Sequence, residues 1–156
     1  MPKLQDGIEL FQSSEYSQAF DILFPFAEEG NAEAQSLIAN IYHLGLGADI
    51  DISKAIYWYG KSAAQDHIIA LNNLANIFLT CNQECLIDTN KAVSLYRKAA
   101  ELGFAPSQYF LGKIYLEGIG VDVDETEAIK WLKLSSANNF QPAKTMLCSI
   151  LHVVDD

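Results

Sequence analysis

Basic residues are scarce in this 156-residue chain, which holds 10 Lys and Arg against 20 Asp and Glu and so carries a formal net charge of −10. A surface of that sign repels the phosphate backbones of DNA and RNA, and we expect no nucleic-acid partner. A basic protein, or a basic patch on one, is the electrostatic complement. With 50% hydrophobic and 19% charged residues, the composition is nevertheless typical of one folded domain and not of a disordered chain.

Long apolar runs and cysteines are also few. The longest apolar runs, such as Ile68–Leu71, fall far short of the ~20 residues that span a bilayer. The first residues, Met1–Asp6, lack the apolar stretch of a signal peptide. Three cysteines, Cys81, Cys85 and Cys148, are too few for a disulfide framework. The sequence therefore predicts a cytoplasmic, reduced protein that does not bind membranes.

Motifs that carry chemistry are lacking as well. Cys81 and Cys85 stand four residues apart, but no second Cys or His pair completes a zinc site. Gly45–Gly47 lacks the third glycine and the preceding strand of a dinucleotide site. The start of a calcium-type loop at Asp49–Asp51 meets Gly60 where such a loop needs Glu. We expect neither an enzyme nor a cofactor or metal site, and an enzyme stays a remote alternative only because a fold alone does not exclude catalysis.

The chain does contain a repeat of about 36 residues. Units that begin at Ala32, Ile68, Ala105 and Gln141 align their small and apolar residues in columns spaced like one face of a helix, which we call helix A. The column that begins with Ala39 consists of small residues, which allow a neighbouring helix to approach closely. Cys148 stands in that column and is predicted to be a core residue. The columns are Ala34, Ala70, Ser107 and Ala143; Ile38, Leu74, Leu111 and Leu147; Ala39, Ala75, Gly112 and Cys148; Ile41, Ile77, Ile114 and Ile150; and Tyr42, Phe78, Tyr115 and Leu151.

A second helix, helix B, follows in each unit. Trp58 and Trp131 occupy equivalent places in it and are predicted to be buried. Each helix B begins after an acidic N-cap candidate, and the third candidate is followed by Glu127 at the spacing of a capping box. The N-cap candidates are Asp51, Asp88 and Asp124, and the aligned helix B residues are Trp58, Leu95 and Trp131, then Tyr59, Tyr96 and Leu132.

The predicted organisation is one all-α domain over residues 1–156. It comprises a degenerate N-terminal unit at 1–31, three repeats at 32–67, 68–104 and 105–140, and a C-terminal capping helix at 141–156. Helices are predicted near 4–13, 17–29, 32–44, 52–65, 68–80, 89–102, 105–117, 125–138 and 141–153.

The repeat resembles the Sel-one-like repeat (SLR) family. The phrase Leu-Gly-Lys-Ile-Tyr-Leu-Glu-Gly-Ile-Gly-Val within Ser107–Val121 carries the resemblance, as do Glu127-Ala128-x-x-Trp131 and Lys98–Gly103. The similarity extends from about Ser17 to Leu151 and recurs in every unit. It implies an α-solenoid of antiparallel two-helix repeats with a right-handed superhelix, related to tetratricopeptide repeats. It also implies a role as an adaptor or scaffold in protein complexes, without chemistry.

A candidate binding groove follows from that resemblance. In tetratricopeptide-type solenoids helix A lines the concave side, so the stripe at repeat positions 5, 9 and 12 is predicted to hold a partner. Its Asn and Ser side chains can bond a partner's backbone, and its apolar residues can bury contact area. The alternative for Leu79 and Leu116 is packing against the next unit. The predicted groove residues are Ser36, Asn40, His43, Asn72, Asn76, Leu79, Tyr109, Lys113 and Leu116, and the stripe continues through Thr145, Ser149 and His152.

An acidic edge is the second candidate surface, formed where the loops between helices A and B line up. Capping accounts for some of its carboxylates, and a solvated charged edge is the ordinary alternative for the others. Two functions fit these surfaces: an adaptor that grips a peptide or helix in the groove, or an inhibitor or immunity protein that blocks a partner enzyme or toxin. Self-association through the terminal helices is a further alternative. The edge residues are Asp49, Glu84, Asp122, Glu125 and Glu127.

Overall fold

The computed structural model describes residues 1–80 and 87–152, and this part of the chain is helical, with no strand. No helix end lies more than two residues from its predicted place, and the all-α fold class is confirmed. In order, the described helices are α1 (Leu4–Gln12), α2 (Tyr16–Glu28), α3 (Ala32–Leu44), α4 (Ile52–Ala63), α5 (Ile68–Thr80), α6 (Thr89–Glu101), α7 (Ala105–Glu117), α8 (Glu125–Ala137) and α9 (Gln141–His152).

The described residues form two compact units, residues 1–74 and residues 75–80 with 87–152, with the boundary inside α5. In the first unit α1 packs on α2, α2 on α3, and α3 on α4. In the second unit α6 packs on α7, α7 on α8, and α8 on α9. Within each unit these consecutive helices therefore pack on one another, as the repeat pattern predicts.

The predicted N-caps of the helix B elements are confirmed. Asp51, Asp88 and Asp124 each accept a hydrogen bond from the backbone N–H three residues further on, at 2.9–3.0 Å. The predicted capping box is wrong, because the Asp124 N–H donates to the Tyr115 carbonyl instead. The Glu127 carboxylate accepts from the Trp131 indole N–H at 3.2 Å and from Lys130 at 2.9 Å.

The Gly-x-Gly loops end two of the helix A elements as predicted. Gly45 and Gly118 adopt left-handed φ angles of 67° and 68° at the C-caps of α3 and α7. Glycine takes this conformation without the steric cost that a Cβ atom imposes. The chain can therefore turn directly into the acidic cap of helix B, which places the loop carboxylates beside the start of that helix.

The predicted core columns are buried in the three repeats except for Tyr42 and Tyr115, which are half-buried, and the prediction fails in the last helix, where Leu151 is 48% exposed. Trp58 and Trp131 are each only 7% exposed. A Cβ atom on Gly112 would lie 2.7 Å from Leu132 Cγ, so the small-residue column marks a close approach of α7 to α8. The prediction that Cys148 is a core residue is wrong, because its side chain is exposed. α9 is the last helix among the described residues. The face of α9 that corresponds to the α8-facing side of α7 therefore has no described helix packed on it.

Buried polar side chains link helices in a pattern that sequence reasoning missed. Gln35 and Gln108 each donate to a carbonyl at the end of the preceding helix B, Ala27 O at 3.0 Å and Ala100 O at 3.1 Å. The Ser62 and Ser135 hydroxyls, 27 residues further on in each case, bond the carbonyls of Ala32 and Ala105 at 2.6 and 2.7 Å. In the middle repeat the equivalent positions are Leu71 and Ala99, which are apolar and buried. The middle repeat therefore lacks both of these side-chain hydrogen bonds.

Candidate partner-binding surface

Two residues of the predicted groove lie in the core. Ser36 is 2% and Asn72 8% exposed. Their assignment to a partner-binding surface is therefore wrong in the first two repeats. The reason is that helix A packs against helices on both sides, which buries a wider arc than its apolar residues indicate. In the third repeat the larger Tyr109 occupies the same position and remains half-buried.

Asn40 and Asn76 have structural partners inside the protein. The buried Tyr59 hydroxyl donates to the Asn40 side-chain oxygen, and Asn73 Nδ2 lies 3.3 Å from both of these oxygens. His43 Nδ1 lies 3.5 Å from the same hydroxyl. In the middle repeat Tyr96 makes the equivalent hydrogen bond to Asn76. The side-chain oxygens of Asn40 and Asn76 are therefore engaged inside the protein, and binding of a partner through their amide groups stays a prediction.

The third repeat lacks both the helix B tyrosine and the helix A asparagine of this network. Leu132 replaces the tyrosine, and Lys113 replaces the asparagine in the same unit. Without a buried hydroxyl to satisfy, Lys113 lies 3.9 Å from Glu117 on its own helix. The sequence carries a signal for this pairing, because the helix B tyrosine and the helix A asparagine change together from unit to unit. The pairs are Tyr59 with Asn40, Tyr96 with Asn76, and Leu132 with Lys113.

Burial shifts the protonation of the groups in this network. It raises the pKa of Tyr59 to about 12 and raises the pKa of Tyr96 as well, because the phenolate would be poorly solvated. Burial also lowers the pKa of His43 from its ordinary value. The hydroxyls of Tyr59 and Tyr96 and the imidazole of His43 are thus neutral near pH 7.

The raised tyrosine pKa values predict alkaline unfolding. Unfolded tyrosines ionise near pH 10, so the stability from keeping these phenols neutral is present below that pH and is lost as the pH rises through about 12 for Tyr59. Of the seven tyrosines, we expect Tyr59 and Tyr96 to ionise together with the loss of helical circular dichroism. Tyrosinate absorbance measures the ionisation, and a urea-unfolded sample should titrate all seven near pH 10. Ionisation of all seven with the helices intact would contradict the prediction.

Four residues of the predicted stripe meet at one cavity in the second unit. Tyr109 and Leu116 reach it from α7, and Thr145 and Ser149 reach it from α9. The cavity has a volume of about 680 Å³, and we call it the helix-A pocket. Its remaining lining residues are Glu125, Pro142, Met146 and Ile150.

The floor of the helix-A pocket is part of the hydrophobic core. Tyr109, Leu116, Met146 and Ile150 pack on the buried cluster that Leu132, Ala143 and Leu147 form. The Tyr109 ring is also 5.4 Å, centroid to centroid, from the rings of both Phe110 and Phe140. These contacts hold the aromatic ring in place, so the pocket is formed before any ligand arrives.

The remaining predicted groove residues do not reach this pocket. His43 belongs to the tyrosine network, Lys113 forms an ion pair on its own helix, and Leu79 is half-buried. The His152 side chain lies outside what the structure describes. A role for any of them in binding stays a prediction.

Only some carboxylates of the acidic edge are exposed and available to a partner. Asp49, Asp122 and Glu125 are exposed, whereas Glu127 is half-buried and bonded to Trp131 and Lys130. Glu84 lies outside the described residues. A larger concentration of negative charge, which the sequence reasoning missed, lies in residues 4–53, where no Lys or Arg occurs. Its nine carboxylates are Asp6, Glu9, Glu15, Asp21, Glu28, Glu29, Glu33, Asp49 and Asp51.

In residues 1–80 and 87–152 no three His, Cys, Asp or Glu side chains lie close enough to hold a metal ion. Cys81 and Cys85, the candidate pair from the sequence, lie outside those ranges. None of the described helices is long and apolar enough to cross a bilayer.

Three successive segments, residues 32–67, 68–104 and 105–140, match the family model of the Sel1 repeat. This chain belongs to the Sel1 repeat family. The matched segments are the same three ranges into which the sequence columns divide the chain. Sel1 repeats are protein-interaction modules, and that coarse function comes with membership of the family.

Two curated relatives illustrate the settings in which such repeats occur. The chain is 32% identical over 130 residues to chitin synthase regulatory factor 3 of Schizosaccharomyces pombe, covering 82% of this chain and 14% of that protein. It is 32% identical over 115 residues to the ERAD-associated E3 ubiquitin-protein ligase component HRD3B of Arabidopsis thaliana, covering 73% and 18%. The chain therefore spans less than a fifth of either relative.

Solved structures agree with the fold. A Sel1 repeat protein from Oxalobacter formigenes superposes with a TM-score of 0.86 at 30% identity, over 93% of this chain and 59% of that one. A protective antigen of uropathogenic Escherichia coli with an SLR fold gives a TM-score of 0.57 at 23% identity, over 95% and 41%. The second likeness concerns the fold alone. Together with the described helices, these matches confirm the α-solenoid.

Proposed function

We propose that this chain is a cytoplasmic adaptor that holds a peptide or helix of a protein partner, and that the helix-A pocket is its main contact. The observation that carries the proposal is the convergence of Tyr109 and Leu116 with Thr145 and Ser149 on one cavity of about 680 Å³. That volume lies in the range of sites that take a ligand group of substantial size.

The chemistry of the pocket suits a protein side chain. Tyr109 offers a large, positioned ring, and aromatic residues dominate the centres of protein interfaces. Thr145 and Ser149 are exposed, and their hydroxyls already donate to carbonyls of their own helix at 3.2 and 3.1 Å, which leaves their lone pairs as acceptors. Glu125 adds one carboxylate at the first residue of α8. An apolar side chain next to a basic one fits this lining best.

A substitution at Thr145 tests the proposal. Thr145→Arg places a long, charged side chain in the helix-A pocket without touching the core, so binding of the partner should weaken more than about 30-fold. The partner is first recovered from native lysate and identified by mass spectrometry. Its dissociation constant for each purified variant is then measured by calorimetry, together with the thermal midpoint, which should change little.

Thr126→Arg is the matched control, because Thr126 is also an exposed threonine but lies on helix B and does not line the helix-A pocket. It should bind the partner as the unmodified protein does. Normal binding by Thr145→Arg together with loss of binding by Thr126→Arg would move the interface to helix B and end the proposal. The inhibitor alternative differs in kinetics, since steering by an acidic surface predicts an association rate that falls steeply with salt.

A further inference from the structure

A second, smaller cavity lies in the first unit, and its lining combines aromatic rings with a carboxylate. Its volume is about 130 Å³, and we call it the N-terminal pocket. Tyr16, Phe20 and Asp21 line it from α2, Tyr42 lines it from α3, and Gly47 lines it from the following loop. The Phe20 and Tyr42 rings meet edge to face at 5.9 Å between centroids, so this aromatic wall is fixed by packing.

Asp21 is the charged group of this pocket. It is exposed, and among the described residues it forms no hydrogen bond or ion pair. It also lies in the stretch from residue 4 to residue 53, which has nine carboxylates and no Lys or Arg. The potential there attracts cations and disfavours anions. An apolar group alone would remove water from the Asp21 carboxylate without giving it a new partner.

Other aromatic residues of this chain already hold cations. The Lys91 ammonium lies 4.4 Å from the Phe78 ring centroid. The Arg97 guanidinium lies 5.7 Å from the Tyr115 ring centroid and donates to its hydroxyl. Tyr115 is the repeat equivalent of Tyr42, and Arg97 belongs to the helix B that precedes it. The corresponding helix in the first unit, α2, has no basic residue.

The aromatic wall has one basic side chain near it within residues 1–80 and 87–152, that of Lys54. Its ammonium lies 4.9 Å from the Tyr42 ring centroid and 3.3 Å from the Asp51 carboxylate. The charge of Lys54 is therefore matched by Asp51, its own N-cap residue. The Asp21 carboxylate has no such partner among the described residues and can pair with a cation from outside the chain.

We propose that the N-terminal pocket binds a lysine or arginine side chain of a protein partner. The aliphatic part of that side chain would lie against Phe20 and Tyr42, and its cationic end would pair with Asp21. Attraction between cations and aromatic faces adds to this pairing. The proposal goes beyond the helix-A pocket, because every lining residue belongs to residues 1–74.

The test uses three blocked tripeptides with the sequence Gly-X-Gly, where X is lysine, arginine or norleucine. Norleucine has the aliphatic chain of lysine without the charge. Each is titrated at low salt into the isotope-labelled chain, and backbone amide shifts are followed by NMR. The lysine and arginine peptides should shift the amides of Phe20, Asp21 and Gly47 along one saturable curve. The norleucine peptide should bind at least about fivefold more weakly.

Two variants separate the pocket from general attraction to the acidic stretch. Asp21→Asn should weaken binding of the lysine peptide by about threefold or more. Glu28→Gln removes the same charge from an exposed residue of the same helix outside the pocket, and it should leave the binding constant nearly unchanged. Equal losses in both variants, or shifts spread evenly over the acidic residues, would overturn the proposal. Thr145→Arg should not alter these shifts, so failure here and failure of the helix-A pocket are distinguishable.

Discussion

Replacing Trp131 with alanine should lower the free energy of unfolding by about 3–5 kcal/mol. The indole is 7% exposed and donates from its N–H to Glu127 at 3.2 Å. Truncation removes the largest side chain of α8 from the core and leaves a cavity that the rigid helix pair cannot close completely. It also removes the indole N–H from the half-buried Glu127 carboxylate, which keeps its bond to Lys130.

Chemical denaturation monitored by circular dichroism measures this loss. Tyr57→Ala is a suitable control, because Tyr57 is also a large helix B aromatic residue but is 54% exposed. It should cost much less than the Trp131 substitution. A loss below about 1 kcal/mol for Trp131→Ala would mean that the indole does not contribute to the core.

Alanine at two helical glycines should change stability in opposite directions. At Gly112 a new Cβ would lie 2.7 Å from Leu132 Cγ and 3.2 Å from the Ala128 carbonyl oxygen. Because Leu132 is fully buried, α7 and α8 must separate or Leu132 must leave its rotamer. We expect a loss of about 1–3 kcal/mol. At Gly60 a new Cβ meets nothing within 4 Å, and the better helix propensity of alanine should add about 0.5–1 kcal/mol.

The two glycine variants calibrate each other, since both make the same chemical change inside a helix. Thermal and urea unfolding of both proteins give the two differences directly. If Gly112→Ala were as stabilising as Gly60→Ala, the close approach of α7 to α8 would not exist. The small-residue column would then need a different explanation.

The acidic caps and the tryptophans show what local sequence can predict. Asp51, Asp88 and Asp124 were identified as N-caps because a cap depends on residues only three positions apart. Trp58 and Trp131 were identified as core residues because the helical period places them on the apolar face. The predicted groove was less successful, since burial of Ser36 and Asn72 depends on how many helices surround helix A.

The sequence by itself determined the helices, their caps and the repeat length, because each depends on side chains within about one helical turn or on a pattern that recurs along the chain. Only the tertiary structure decided which polar groups satisfy one another. Tyr59 and Asn40 are 19 residues apart, and their hydrogen bond exists only because α4 packs on α3. The tertiary structure likewise exposed Cys148 and brought α7 and α9 together around the helix-A pocket. A helical period specifies which side chains share a face, but the number and distance of the neighbouring helices decide whether that face is core, surface or binding site.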